Sequence, residues 1–230
     1  MKLLLVASDP MEFQGLLRRA VNARPAGLAL DWSRFARLGA YEVLMAANGV
    51  GRERAAAAVD AGASIFAADW IVSIGFCGAV APELGVADIV VATGVAAERT
   101  YVVQPPAALP AHHAGMVCSL GHVARTAAEK SSLYAAGSVA VEMEAGGVAE
   151  RALALGRPFC CIKTVTDLAR ESMENDFNSA LRSDGHFDTM EILRSSLRHP
   201  LVRVPELLRL RKRCVRASQV LGDFIADCRF

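Results

Sequence analysis

The stretch Ser138 to Glu150, SVAVEMEAGGVAE, sets two carboxylates and a thioether at the end of a run that otherwise reads as a buried strand. Glu142 and Glu144 flank Met143, and Gly146 and Gly147 follow at once. An unpaired charge is costly to bury, so acids placed here need a task. In α/β folds, ligands bind beyond the carboxyl ends of the strands. A helix N-terminus welcomes one acid. It does not account for two acids around a methionine, ahead of glycines that allow close backbone approach. Glu12 and Asp167 stand in the same kind of place, after the apolar runs Lys2 to Ala7 and Pro158 to Val165. Dipole complementarity would explain Glu12 taken alone, and helix capping Asp167 taken alone. Three acids converging at one sheet edge would suit acid–base chemistry on a small neutral or cationic centre.

The elements that must position these acids alternate between strand and helix patterns. After the first strand, a helix is predicted from about Met11 to Val21, with Pro10 at its start. Leu28 to Leu38 and Tyr41 to Ala47 read as a hairpin around Gly39. Asn48-Gly-Val-Gly51 is a glycine turn before an alanine-rich helix, Arg52 to Ala68. Such a turn can cradle phosphate, but tight turning is the commoner use. Trp70 to Ile74 is a buried strand ended by Gly75-Phe-Cys-Gly78, whose glycines point to close approach of a ligand or another backbone. Ala87 to Ala97 and Met116 to Leu120 read as strands. The intervening stretch from Glu98, with His112 and His113, reads as a loop. Thr126 and Glu129 have capping-box spacing before a helix to Ala136. Residues 172–230 are helical in pattern. Alternation of this kind implies a largely parallel or mixed sheet covered by helices.

Composition narrows the function classes. The 230 residues are 53% hydrophobic, enough for a sizeable core, and the expectation is one domain. A formal net charge of +1 argues against a general nucleic-acid binder. Lys2 to Ala7 is too short for a signal peptide's apolar region, so no leader is expected. The six cysteines lack CxxC spacing and several lie in apolar strands. Buried reduced thiols in a cytoplasmic protein are expected, with no metal site. From Arg182 to Phe230 ten Lys or Arg face six Asp or Glu. A packed C-terminal helix with a basic outer face is favoured over a membrane-surface helix.

Taken in order, these pieces resemble the nucleoside phosphorylase/nucleosidase superfamily, especially the methylthioadenosine/adenosylhomocysteine nucleosidases. The resemblance runs through Met11-Glu12, Asn48-Gly-Val-Gly51, Gly75-Phe-Cys-Gly-Ala79, Asp88-Ile-Val-Val91, Val141-Glu-Met-Glu-Ala145 and Val165-Thr-Asp167. Ala128-Glu-Lys130, Asp184-Gly185 and the Leu/Arg-rich tail look more like the hopanoid-biosynthesis-associated phosphorylase branch. The resemblance implies a three-layer α/β domain, with a central mixed β-sheet covered by helices and a C-terminal helical extension over 172–230. It implies a small-molecule nucleoside substrate, no cofactor, and a homo-oligomer, in the nearest pattern a homodimer. Glu144 would hold the ribose hydroxyls and Met143 would pack on the sugar. Glu142, Phe76, Gly75 and Gly78 would complete the substrate site. Asp167 would be the general acid at purine N7, and Glu12 would activate water. The base must leave neutral from an oxocarbenium-like state, which needs a carboxylic acid kept protonated near neutral pH.

Departures from the family pattern bear on the nucleophile. Superfamily phosphorylases carry phosphate-binding arginines where this chain has Glu12 and Ser73. That favours hydrolysis, and the resemblance implies an adenosine-type nucleoside with a modified 5′ group as the substrate. Phosphorolysis is the alternative, and a nucleoside-binding protein without turnover is a second one. The usual serine after Gly75 is Phe76, which leaves Asp167 without a familiar hydroxyl partner. The adenine-clamping aromatic falls at Gly121 or His122, so base specificity stays open.

Overall fold

The computed structural model describes residues 1–182 and 184–230. In chain order the first half comprises β1 (Lys2–Ala7), a 3-10 turn (Pro10–Phe13), α1 (Gln14–Arg19), β2 (Val21–Pro25), β3 (Trp32–Leu38), β4 (Tyr41–Ala47), α2 (Arg52–Ile65) and β5 (Trp70–Ala79). The second half comprises β6 (Ile89–Ala96), β7 (Thr100–Val102), β8 (His113–Ser119), α3 (Ala127–Ala135), β9 (Ser138–Glu142), α4 (Ala145–Ala154), β10 (Phe159–Asp167), α5 (Phe177–Ala180), α6 (Thr189–Ser196) and α7 (Pro200–Asp227).

The strands form one mixed sheet in the order β10-β6-β8-β9-β5-β1-β4-β3-β2, with β7 on β6. β10 also pairs in parallel with β5, which closes β5, β10, β6, β8 and β9 into a ring. β1 lies between β4 and β5, parallel to both. Successive strand side chains face opposite ways, and β1 shows the consequence. Leu4 and Val6 enter one core with Ala55, Ala58, Val148 and Ala152 of α2 and α4. Leu3, Leu5 and Ala7 enter the other with Leu16 of α1 and Leu221, Phe224 and Ile225 of α7. Helices on both faces of a mixed sheet give the three layers expected from the sequence.

Two expectations change. The helix expected over Met11 to Val21 is a 3-10 turn and a short helix ending at Arg19, because Ala20 turns extended and Val21–Pro25 pairs with β3 instead. The stretch from Glu98 contains β7, and β8 begins at His113, whose imidazole lies 3.2 Å from Asp88. α7 starts at Pro200 and carries Pro205 within it. Its C-terminal half is seamed to α1: a Cβ on Gly222 would fall 2.1 Å from the Gly15 carbonyl carbon, and one on Gly15 would fall 2.0 Å from Ser218 O. Ser218 Oγ locks the seam, donating to Met11 O at 2.7 Å and accepting from Gly15 N at 3.1 Å.

Candidate active site

A cavity of about 330 Å³ lies at the carboxyl ends of β1, β5, β9 and β10. Glu12, Glu142, Met143, Glu144 and Asp167 all line it, with Phe76 and Gly78. The sheet therefore brings together the acids that the sequence separates by more than a hundred residues. Val123, Met173, Phe177, Phe187, Leu210 and Cys214 make the rest of the wall largely apolar.

Glu12 is buried and held by four donors. Its Oε2 accepts from Ser8 N (2.8 Å), Ser8 Oγ (2.9 Å) and Asp9 N (2.9 Å), and its Oε1 from Phe76 N (2.7 Å). The Asp9 bond is half of a reciprocal cap on the turn that carries Glu12. Burial raises the Glu12 pKa, opposed by the Lys163 ammonium and these bonds. Gly75 has φ +130, and a Cβ there would lie 2.3 Å from Glu12 Oε1. A Cβ on Gly78 would lie 2.9 Å from Asp167 Oδ2. The two glycines admit the Glu12 and Asp167 carboxylates rather than a backbone, and only Gly78 of the two lines the cavity.

Glu142 and Glu144 have different surroundings. Glu142 Oε2 lies 2.8 Å from Lys163 Nζ and also accepts from Glu144 N and Ala145 N. Burial would raise its pKa, but the Lys163 ammonium outweighs burial and the net shift is downward. Glu144 Oε1 accepts from Gly51 N at 3.1 Å, and its Oε2 is 3.9 Å from Lys163 Nζ. Burial first, and the Glu142 charge second, push Glu144 up to about 8. The Asn48-Gly-Val-Gly51 turn thus aims an N–H at the acid. Arg52, next to it, is engaged elsewhere, at 2.5 Å from Glu98 and 2.9 Å from Glu150.

Asp167 finds its partners in Lys130 and Thr166. Lys130 Nζ lies 2.5 Å from Asp167 Oδ2, and Thr166 Oγ1 donates to Oδ1 at 3.1 Å. Lys130 is fully buried and also donates to Leu168 O (2.9 Å) and Glu171 O (3.4 Å). Burial raises the Asp167 pKa, and the Lys130 charge holds it back. The partner missing at Phe76 is thus supplied from α3. Thr126 caps that helix at Glu129 N, but the Glu129 carboxylate faces His122 on the cavity wall at 2.6 Å instead of closing a capping box.

Lys130 and Lys163 are the two site residues that sequence reasoning missed. Lys163, inside the apolar run PFCCIKTV, is as anomalous as Glu142 and was findable on the same ground. Lys130 carries no such signal, because a lysine on a short helix is ordinarily solvated.

Comparisons with known proteins agree with this architecture. No curated protein sequence matches. Among solved structures, the S-adenosylhomocysteine nucleosidase of Streptococcus pyogenes, in complex with 5-methylthiotubericidin, superposes with a TM-score of 0.70 at 19% identity, covering 99% of this chain and 97% of the other. The methylthioadenosine/S-adenosylhomocysteine nucleosidase of Campylobacter jejuni gives 0.73 at 17% identity, with 98% and 97% covered. The futalosine hydrolase of Helicobacter pylori gives 0.71 at 15%, with 98% and 95% covered. The family model of the phosphorylase superfamily matches residues 3–110 and 96–185. With most of its length so matched and its acids gathered at one sheet edge, the chain belongs to the phosphorylase superfamily.

Proposed function

We propose that this protein is a purine nucleoside N-ribohydrolase, cleaving the N-glycosidic bond of an adenosine-type nucleoside with a modified 5′ group. The observation that carries the reading is that, among the described residues, the cavity wall holds acids and no arginine or lysine. The acids include Glu12, Glu144 and Asp167. Arg52, next to the Gly51 N–H that reaches Glu144, is paired with Glu98 and Glu150. A phosphate dianion needs positive partners or a nest of N–H groups. Here the N–H groups of Ser8, Asp9 and Phe76 are spent on Glu12. The surroundings suit a cation instead, and an oxocarbenium-like state carries positive charge at C1′.

In this reading Asp167 protonates the leaving base and Glu12 takes the proton of the attacking water. Glu144 accepts from the ribose hydroxyls, Met143 packs on the sugar, and Phe76 adds apolar wall while its N–H orients Glu12. Glu142 acts behind them, fixing Lys163 and the start of α4. The apolar wall from Val123 to Cys214 receives the 5′ group. The structural relatives support the reaction class, since two are nucleosidases and one a hydrolase by name. The test is the sugar product. Incubation with a nucleoside panel should release free ribose at the same rate with and without phosphate. A strict phosphate requirement with a sugar 1-phosphate product would overturn the proposal and leave phosphorolysis.

A further inference from the structure

α6 and the first half of α7 carry apolar side chains that the described residues leave exposed. On α6 and its C-cap, Met190, Leu193 and Leu197 are exposed at 57%, 49% and 64%. Their spacing puts them on one stripe. On α7, Leu201 and Leu208 are exposed at 90% and 63%, one heptad apart. Around these stripes stand six exposed cations: Arg194, Arg198, Arg209, Arg211, Lys212 and Arg216. Both acids between Thr189 and Arg216 are withdrawn. Glu191 is half-buried, and Glu206 is buried, accepting from Glu174 N, Asn175 N and Asn175 Nδ2.

We infer that, whereas the second half of α7 packs as the sequence favoured, this face binds the surface of an anionic bilayer. Leucines flanked by solvated arginines are the pattern of a helix that lies in the headgroup region, the apolar stripe inward and the cations against lipid phosphates. Among the described residues no helix is long and apolar enough to cross a membrane, so the contact is interfacial. A second copy of the chain fits less well. A two-fold contact would set this cationic surface against itself, and like charges brought together at an interface are unfavourable. The buried half of α7, from Ala217 to Ile225, holds the helix to the sheet and keeps the exposed half presented.

The test uses the full chain with large vesicles, either pure phosphatidylcholine or containing one-third phosphatidylglycerol. Co-sedimentation should require the anionic lipid and weaken about tenfold or more as salt is raised. Leu197→Gln with Leu201→Gln, and separately Arg194→Glu with Arg198→Glu, should each lower vesicle affinity about tenfold. Both variants should keep the unfolding midpoint, because all four side chains are exposed. Equal binding to neutral vesicles, absence of binding to anionic ones, or variants that bind as tightly as the parent would each overturn the inference. So would concentration-dependent self-association of the parent that the Leu197/Leu201 variant abolishes, since the face would then belong to a second copy.

Discussion

At the scale of residues, the site works by unequal treatment of similar carboxylates. Glu142 is tied to Lys163 and held ionised, whereas Glu144 shares the same lysine only at 3.9 Å and is pushed up to about 8. The raised value makes Glu144 carry a proton in the empty site at neutral pH. In the proposed reaction Glu144 accepts from the ribose hydroxyls and must shed that proton, so affinity for an uncleavable ribonucleoside analogue should rise as pH climbs through about 8. Glu144→Gln should flatten that dependence and cost about 2–4 kcal/mol of barrier height. Unchanged kcat/KM in this variant would remove Glu144 from the reaction. The linkage to stability has the opposite sign. A folded pKa above the unfolded value of about 4.5 gives stability that is full below 4.5 and is lost as pH rises through about 8. Lys130 makes a second residue-scale prediction. Its charge opposes the effect of burial on Asp167, so, with Asp167 as the proposed general acid, Lys130→Met should move the high-pH limb of kcat/KM upward. A limb that stays in place would separate Lys130 from the general acid.

At the scale of elements, what was legible followed from how local the cause was. The runs that became β1, β4, β5, β9 and β10 announced themselves, because buried parallel strands read as continuous apolar sequence. Glu12, Glu144 and Asp167 stood out because each ends or closely follows such a run. β2 was hidden: Val21–Pro25 is exposed throughout, and its strand form comes from pairing with β3. The Lys130–Asp167 pair was hidden for a similar reason, since 37 residues separate the partners and only the tertiary fold joins them. The glycines were legible as close approaches, but not what approached. α7 shows the same limit, because sequence gave its apolar residues without dividing those that pack from those that do not. The division can be tested at the α1–α7 seam. Gly222→Ala would drive a methyl to within 2.1 Å of Gly15 backbone, and helix backbones cannot yield as a flexible side chain does. We expect a loss of about 1–3 kcal/mol or more, read as a lower midpoint in thermal unfolding. A midpoint unmoved by the substitution would mean that the two helices are not in contact in solution.

At the scale of the whole molecule, the C-terminal helix joins the core, the cavity and the surface. Its buried end supplies Leu221, Phe224 and Ile225 to the core shared with β1 and α1. Its middle supplies Leu210 and Cys214 to the cavity wall, and Arg213 bridges to Glu171, whose backbone carbonyl receives Lys130. Its exposed start carries Leu201 and Leu208. These parts predict different consequences for change. Burying one large aliphatic or aromatic side chain is worth about 1.5–3 kcal/mol, so the three core residues together match much of the roughly 5–15 kcal/mol of net stability of a folded protein. Removing Leu207 to Phe230 should therefore abolish cooperative folding and expose the other face of the β1 core. Leu201→Gln, by contrast, removes little that is buried and should leave stability within about 0.5 kcal/mol. Circular dichroism melts and sedimentation of the two proteins side by side make the comparison. A truncated chain that stays soluble and melts cooperatively near the parent's midpoint would show that α7 is an appendage, and the cavity wall at Leu210 and Cys214 would then lose its structural basis.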